Sequence, residues 1–396
     1  MRDFSPASPT PFTEARRRIG FVVTGGVDRS GRERVIPSLL ALVERLARRY
    51  ELHVFVLRHY REPCTYDLLG ATVHDLGRTD GVPGIGRLRQ ERRHHRALSR
   101  IGSFHVLHAY WAVPAGVVTT RVARRLGIPS VVTFDSGELV SIPEIGYGLQ
   151  RRWMDRRAVA ATARSASRIT VCTGYMARLA RELGIDTEQV PLGTDPRWFP
   201  RADSGDGPPW RLLHVASLNA VKDHPTLLRA LSRIVAQAPG VHLDIVGEDA
   251  LDGRVQQLCH ALGLDGQVSF HGVQPIDRVA AFYARAHLHV VSSRHEAAGA
   301  VSLEAACAGV ATVGTSVGYI ADWAGDRAVA VPVADPEALA TAVLSLLGDP
   351  VRRGRVAAAA QSWALAHDAE WTASRFAQLY DEAAHKHARL RARTSR

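Results

Sequence analysis

The sequence predicts an α/β protein built from two Rossmann-like, doubly wound domains that face each other across a cleft. Three observations carry this expectation. Short β-branched runs alternate with longer helical patterns, the alternation runs twice, and a polar segment rich in Gly and Pro divides the two series. A chain of 396 residues is also longer than one core usually serves.

The first series places strands at 19–24, 52–57, 106–108 and 130–134, with helical patterns at 33–49, 115–126 and 149–165. The segment 202–209, ADSGDGPP, reads as the linker. The second series places strands at 211–215, 241–246, 268–270 and 288–292, and helices at 223–237, 253–263 and 277–286. After Pro350 two helical patterns remain. The last, 369–391, carries Phe376, Leu379, Tyr380 and Ala383 on one face and is expected to cross back onto the first domain. The expected organisation is a flexible tail at 1–18, a first domain at 19–201, the linker, a second domain at 210–368, and a C-terminal helix and basic tail at 369–396.

Composition narrows the class. Apolar residues make up 46% and charged residues 22%, an ordinary globular mixture. Cys64, Cys172, Cys259 and Cys307 stand far apart without metal-site or disulfide spacing, so they read as reduced thiols of a cytoplasmic protein. Residues 1–18 lack the apolar core of a secretory leader, and no stretch matches a membrane span. His94-His95 and His385-Lys386-His387 lie in Arg-rich helical patterns and are expected to be solvated rather than ligands.

The net charge of +11 is unevenly placed: residues 1–200 hold 31 Arg against 19 Asp and Glu, whereas the remainder is close to neutral. Arginine is the general cation here. Only Lys222 and Lys386 are lysines, so a motif that uses lysine stands out.

Chemistry concentrates in the second half. Residues 290–309, VVSSRHEAAGAVSLEAACAG, give a strand, a loop with Glu296 and Gly299, and a helix with Glu304. A glycine between strand and helix lets the N–H groups of Gly299, Ala300 and Val301 approach an anion, and the helix dipole favours negative charge there. Two carboxylates beside such a site suit hydroxyls, which they bind as double acceptors; one exposed loop Glu and one helix-surface Glu would read the same way. Upstream, HVASLNAVK at 214–222 puts Lys222 between a strand end and a helix start, where an ammonium can neutralise a diphosphate or simply be solvated. In the first half, Thr24-Gly25-Gly26 follows the first strand and can bring backbone close to a phosphate or sugar. The segment from Gly26 to Glu33 fails as a P-loop, since Arg32 and Glu33 stand where Lys and Ser or Thr are required. No Gly-x-Gly-x-x-Gly follows that strand and no Asp-x-Asp occurs, so neither a dinucleotide nor a metal-bridged diphosphate is expected.

Together these residues resemble the family 4 retaining glycosyltransferases with the GT-B fold, over nearly the whole chain. The family's Glu, Gly, and second Glu eight positions after the first are matched by Glu296, Gly299 and Glu304. The resemblance implies that Glu296 lies near the transferred sugar and that Glu304 binds the nucleotide ribose. The family's Gly-Arg-Leu-x-x-x-Lys donor loop is matched at Leu218 and Lys222, while Ala216 replaces the Gly and Ser217 the Arg, leaving one fixed cation where two are usual. Residues 190–195 are similar to the family's turn between domains, and 244–248, with Gly247, to its nucleotide-side strand. The family's His after the strand at 130–134 is replaced by Asp135, followed by Glu138; either carboxylate is a candidate for sugar hydroxyls or the acceptor proton.

The function so implied is transfer of a hexose-type sugar from a nucleotide-diphosphate sugar to a glycan or lipid-linked acceptor of the cell envelope. The nucleotide sugar is a co-substrate, and no cofactor or metal is expected. A nucleotide-sugar 2-epimerase on the same scaffold and a noncatalytic partner protein are the alternatives. The acceptor side carries the positive charge, in 87–100 and in Arg151-Arg152-Trp153 through Arg157, a pattern suited to an anionic membrane surface at the cytoplasmic face. A solvated Arg-rich surface has the same pattern. Nucleic acid is not expected, because no recognition motif accompanies the arginines.

Overall fold

The computed structural model describes residues 16–78, 85–205 and 207–394. Of the tail expected at 1–18, residues 1–15 lie outside the described residues, as do the side chains of 87–91 within the basic stretch, while Arg18 already belongs to the first strand.

In the first half, β1 (Arg18–Val23) leads to α1 (Pro37–Arg49), β2 (Glu51–Val56), β3 (Cys64–Leu68), β4 (Ala71–Asp75) and α2 (Ile85–Arg100). Then follow β5 (Val106–Tyr110), α3 (Val117–Leu126), β6 (Ser130–Phe134), α4 (Trp153–Ser165), β7 (Arg168–Val171), α5 (Gly174–Glu182) and β8 (Glu188–Gln189). These strands form one sheet in the order β3-β4-β2-β1-β5-β6-β7-β8. Every pair is parallel except β3 with β4.

The second half gives β9 (Trp210–Val215), α6 (His224–Gln237), β10 (Val241–Val246), α7 (Arg254–Ala261), β11 (Val268–Phe270), α8 (Ile276–Arg285) and β12 (Leu288–Val291). It continues with α9 (Ala300–Cys307), β13 (Ala311–Thr315), α10 (Gly318–Asp322), β14 (Ala328–Val331), α11 (Pro336–Gly348), α12 (Pro350–Ala366) and α13 (Ala369–Thr394). Its all-parallel sheet runs β11-β10-β9-β12-β13-β14. Buried on both faces, such strands read as near-continuous apolar runs, as in VVTF of β6 and LHVV of β12. In each sheet the strand order reverses beside the first strand, β1 or β9. Ligands of doubly wound sheets bind at the carboxyl ends of strands at that reversal.

Several boundaries differ from the sequence expectation. Helix α1 begins at Pro37 rather than 33, because Arg34 takes a left-handed conformation (φ +53°) and Pro37 is preorganised for a first helical turn. The helix expected from 149 begins at Trp153, after a loop in which Gly146 and Gly148 have φ of +69° and +97°. The one expected from 115 begins at Val117, after a wide turn over Ala112–Gly116. The β3–β4 hairpin was not anticipated; its two-residue turn, Leu69-Gly70, has positive φ at both positions, the geometry that suits strand twist.

The last helix buries Phe376, Leu379, Tyr380 and Ala383, as its periodicity predicts. It packs on α1, and the Tyr380 hydroxyl lies 2.7 Å from His108 Nδ1 in β5. The crossing is fixed at the turn 190–195: Thr372 Oγ1 donates to the Pro191 carbonyl (2.8 Å), and the Ala369 N–H donates to Thr194 O (3.1 Å). Gly193 permits this approach, since a Cβ there would stand 2.3 Å from His367 O. Asp195, fully buried, accepts from Arg45 Nη2 of α1 and from Arg197 Nη2, each at 2.6 Å, and these two cations hold its carboxyl well below the usual range.

One expectation about surface chemistry is corrected. His94 is buried inside the first half, and burial pushes its imidazole down to about 4. An Arg-rich local sequence says nothing about the single helix face that packs inward.

Candidate functional site

The loops that follow β9 and β12 converge because these strands are neighbours at the reversal of the second sheet. After β9, buried Leu218 pins its loop to the one after β10: its N–H donates to Glu248 O (2.7 Å) and its carbonyl accepts from Ala250 N (3.1 Å). A short 3-10 turn over Ala220–Lys222, capped by Asn219, then presents Lys222. The loop after β12 binds this turn directly, with Ser292 Oγ donating to Lys222 O (2.7 Å) and Arg294 N to Val221 O (2.7 Å). Lys222 Nζ therefore meets Glu296 Oε1 at 2.6 Å, and Ser293 Oγ donates to the same oxygen at 2.6 Å. Glu296 is only partly exposed, and its partial burial alone would raise its pKa; the Lys222 charge and the two hydrogen bonds outweigh that and hold it low.

Gly299 caps α9 with φ +77°. Gly318, at φ +52°, lets the next loop support it, because a Cβ there would come within 2.4 Å of Ala298 O. Helix α9 then buries Glu304, whose Oε2 accepts from Tyr283 OH of α8 at 3.1 Å. Burial pushes the Glu304 carboxyl up to about 7, against the lowering effect of the Tyr283 hydrogen bond.

Lys222, Gly247, Val301 and Glu304 line one cleft of about 610 Å³, together with Ala216, Ser217, Glu248, Gln274 and Ile276. Gly247 has φ +157°, and a Cβ there would lie 1.9 Å from Ala216 O, so only glycine allows the β9 and β10 loops to touch. Ser217, in the position of the missing arginine, is exposed on the wall. The opposite wall comes from the first half, with Arg32, Arg34, Val35 and Pro37.

A second cleft of about 490 Å³ opens on the first half, lined by Thr24, Trp111, Ser136, Glu138, Tyr147, Arg151 and Arg152 among others. Of the predicted glycine turn it is Thr24 that lines this space; Gly26, at φ +83°, instead accepts from Ile36 N (3.1 Å) and folds the loop back. Asp135 lies at the end of β6, and burial with the nearby Glu138 charge pushes its carboxyl up to about 7. Glu138 is buried at the wall of this cleft, and its two oxygens accept from Ala112 N (3.1 Å) and Ser136 N (2.7 Å), so it clamps the loop.

Sequence reasoning missed His295. Adjacent to Glu296 and buried, it donates from Nε2 to Ser136 O (3.1 Å), with Tyr175 OH at 3.3 Å from Nδ1. An imidazole thus enters between the halves from the second one, although the first lacks the histidine the motif calls for. Nearby, Thr173 Oγ1 donates to Ala297 O (2.7 Å) and Asp322 accepts from Gly174 N (2.5 Å) and Tyr175 N (2.8 Å) at the start of α5. These contacts join the two sheets beside the Glu296 loop.

Two family descriptions match the chain in tandem: Glycosyl transferase 4-like domain over residues 35–193 and Glycosyl transferases group 1 over residues 198–363. The chain belongs to the family 4 glycosyltransferases with the GT-B fold. Its enzymatic class is hexosyl transfer. The transferase is 27% identical over 321 residues to the D-inositol 3-phosphate glycosyltransferase of Rhodococcus opacus, covering 74% of this chain and 70% of that protein. It is 27% identical over 285 residues to the GDP-mannose-dependent alpha-(1-6)-phosphatidylinositol monomannoside mannosyltransferase of Mycolicibacterium smegmatis, covering 68% and 74%. In fold it is similar to a sucrose-phosphate synthase of Thermosynechococcus elongatus (TM-score 0.76, 18% identity, 93% and 99% covered). It is likewise similar to Anabaena HepE in complex with UDP-glucose (TM-score 0.71, 18% identity, 92% and 99% covered).

The raised Glu304 pKa has a measurable consequence. Folding protonates this group at pH values where the unfolded chain leaves it ionised, so its contribution is full in acid and is lost as pH rises through about 7. Glu304→Gln keeps the shape and removes the titration. Urea unfolding at about pH 5 and about pH 8 should therefore show the variant gaining stability relative to wild type at the higher pH. A constant difference between the two proteins would contradict the assignment.

Proposed function

We propose that the transferase moves a hexose-type sugar from a nucleotide-diphosphate sugar to a glycan or lipid-linked acceptor in envelope glycolipid or polysaccharide synthesis. The observation that carries this reading is the convergence, in one cleft, of Lys222, the close backbone at Gly247 and the buried carboxylate of Glu304, beside Glu296. Each fits one part of a donor. Glu304 offers acceptor oxygens to the two ribose hydroxyls, Lys222 and the start of α9 face the diphosphate, and Glu296 faces the sugar.

Transfer then proceeds with retention: the bond from the anomeric carbon to the diphosphate oxygen breaks while the acceptor oxygen approaches the same face. The acceptor proton passes to the departing phosphate oxygen, with Asp135 on the sugar side. Lys222 stabilises the charge that develops on the leaving group, and the two halves orient the reactants and exclude water. The reading needs no metal. The names of the relatives, which act on inositol phosphate and phosphatidylinositol mannoside, support a glycolipid acceptor, and the second cleft suits one by pairing Trp111 and Tyr147 with Arg151 and Arg152.

Next to that cleft Trp153 and Met154 are each 59% exposed, among Arg151, Arg152, Arg156 and Arg157. No helix among the described residues is long and apolar enough to cross a membrane. We propose, from the exposed Trp153 and Met154 among these arginines, that this patch meets an anionic lipid surface on the cytoplasmic side, each Arg contributing on the order of 1 kcal/mol at low screening.

Thermal unfolding with UDP-, GDP-, ADP- and dTDP-sugars tests the donor. One base class should raise the melting temperature, and the Lys222→Ala enzyme should turn that donor over at least about tenfold more slowly. EDTA should leave wild-type turnover intact. No shift with any of the four, or full activity in Lys222→Ala, would contradict the reading. Attachment is tested by cosedimentation: the transferase should pellet with anionic vesicles at low salt and be released at high salt, and Trp153→Ala should weaken pelleting. Equal, negligible binding to anionic and neutral vesicles would refute it.

A further inference from the structure

The cleft read above as the donor site has one cation fewer than the family motif supplies, with Ser217 in place of the arginine. Lys222 is already neutralised by Glu296 at 2.6 Å. Glu248 and Glu304 add carboxyls to the same walls. Ser217 carries no charge where the family motif has arginine. An empty site with this balance attracts the several negative charges of a diphosphate poorly, so the cleft needs another positive group.

Two arginines line the cleft from the first half, Arg32 and Arg34. Arg32 Nη2 pairs with Asp277 Oδ2 of α8 at 3.1 Å. Arg34 has no ion-pair partner among the described residues, and of the two arginines it is the one with a left-handed backbone, which five other described non-glycine residues also adopt. Its φ of +53° is uncommon for a non-glycine side chain. That conformation is maintained by its neighbours: Val35 bridges to Gly26, and Ile36 N donates to Gly26 O at 3.1 Å. Behind them the loop is anchored at Asp28, which takes Tyr60 OH at 2.6 Å and His59 Nε2 at 2.7 Å. Strain that persists because the surroundings enforce it is characteristic of residues held for binding.

We infer that Arg34 supplies the second cation for the donor diphosphate, reaching across the cleft from the first half in place of the arginine that Ser217 displaces. This rests on the donor reading above. It also makes donor affinity depend on both halves at once, because the charge that this family motif keeps beside Lys222 here sits on the opposite wall. Donor binding and closure of the cleft are then one event.

The test is calorimetric titration with UDP and GDP of wild type, Arg34→Ala, Arg34→Lys and the double variant Arg34→Ala/Ser217→Arg, each first shown to melt with wild type. Arg34→Ala should weaken the nucleoside diphosphate that wild type binds by about tenfold or more at low salt, and the deficit should shrink as salt rises. Arg34→Lys should retain part of the affinity, and Ser217→Arg should restore most of it by returning a cation to the C-terminal wall. Wild-type binding with an unaffected Arg34→Ala, a deficit independent of salt, or no rescue by Ser217→Arg would each overturn the inference while leaving the donor reading standing. Failure of wild type to bind either diphosphate would instead overturn the donor reading, and this inference with it.

Discussion

The site depends on the ion pair between Lys222 and Glu296. It is the point at which the loops after β9 and β12 become one object, since the same two loops also share the Ser292–Lys222 and Arg294–Val221 hydrogen bonds. A largely buried pair of this kind adds little net stability, yet losing either partner leaves an uncompensated charge. The pair therefore fixes position more than it fixes the fold. On the proposed donor reading, the pair also stores Lys222 in a form that a diphosphate can claim, with Glu296 then freed toward the sugar.

Everything around the pair serves to hold two sheets in register with it. Asp195, buried between Arg45 and Arg197, locks the turn between the halves to α1. Gly193 and Thr372 lock the return of the last helix to the same turn. His295, Thr173 and Asp322 make contacts between the halves beside the Glu296 loop. A sugar transferase needs this geometry, because the donor is activated from one side and the acceptor arrives from the other.

Much of this was legible in the sequence, for physical reasons that can be named. Parallel strands buried on both faces announce themselves as apolar runs, and α13 betrays its buried stripe through the spacing of Phe376, Leu379, Tyr380 and Ala383. Lys222 stands out in the sequence because lysine is so rare in this chain, and Glu296 with Glu304 because a glycine lies between strand and helix there; the structure brings all three to one pair of loops and the helix that follows. What was hidden depends on tertiary partners. Nothing local distinguishes Glu138, which clamps backbone amides, from Asp135, which does not. The inward face of His94 is set by packing alone, and the left-handed backbone of Arg34, which ends the expected start of α1, has no local signature in an Arg-Glu-Arg stretch. His295 was passed over because it sits beside a more conspicuous glutamate.

The central claim is that Lys222 is shared between Glu296 in the empty site and a diphosphate in the filled one. Glu296→Gln tests it most directly, by titrating the variant with UDP or GDP lacking any sugar and comparing it with wild type. Removing the competing carboxylate should make the nucleoside diphosphate bind several-fold more tightly, on the order of threefold to tenfold, while transfer from the corresponding nucleotide sugar collapses. Diphosphate binding that is unchanged or weakened in a folded Glu296→Gln protein would contradict the account.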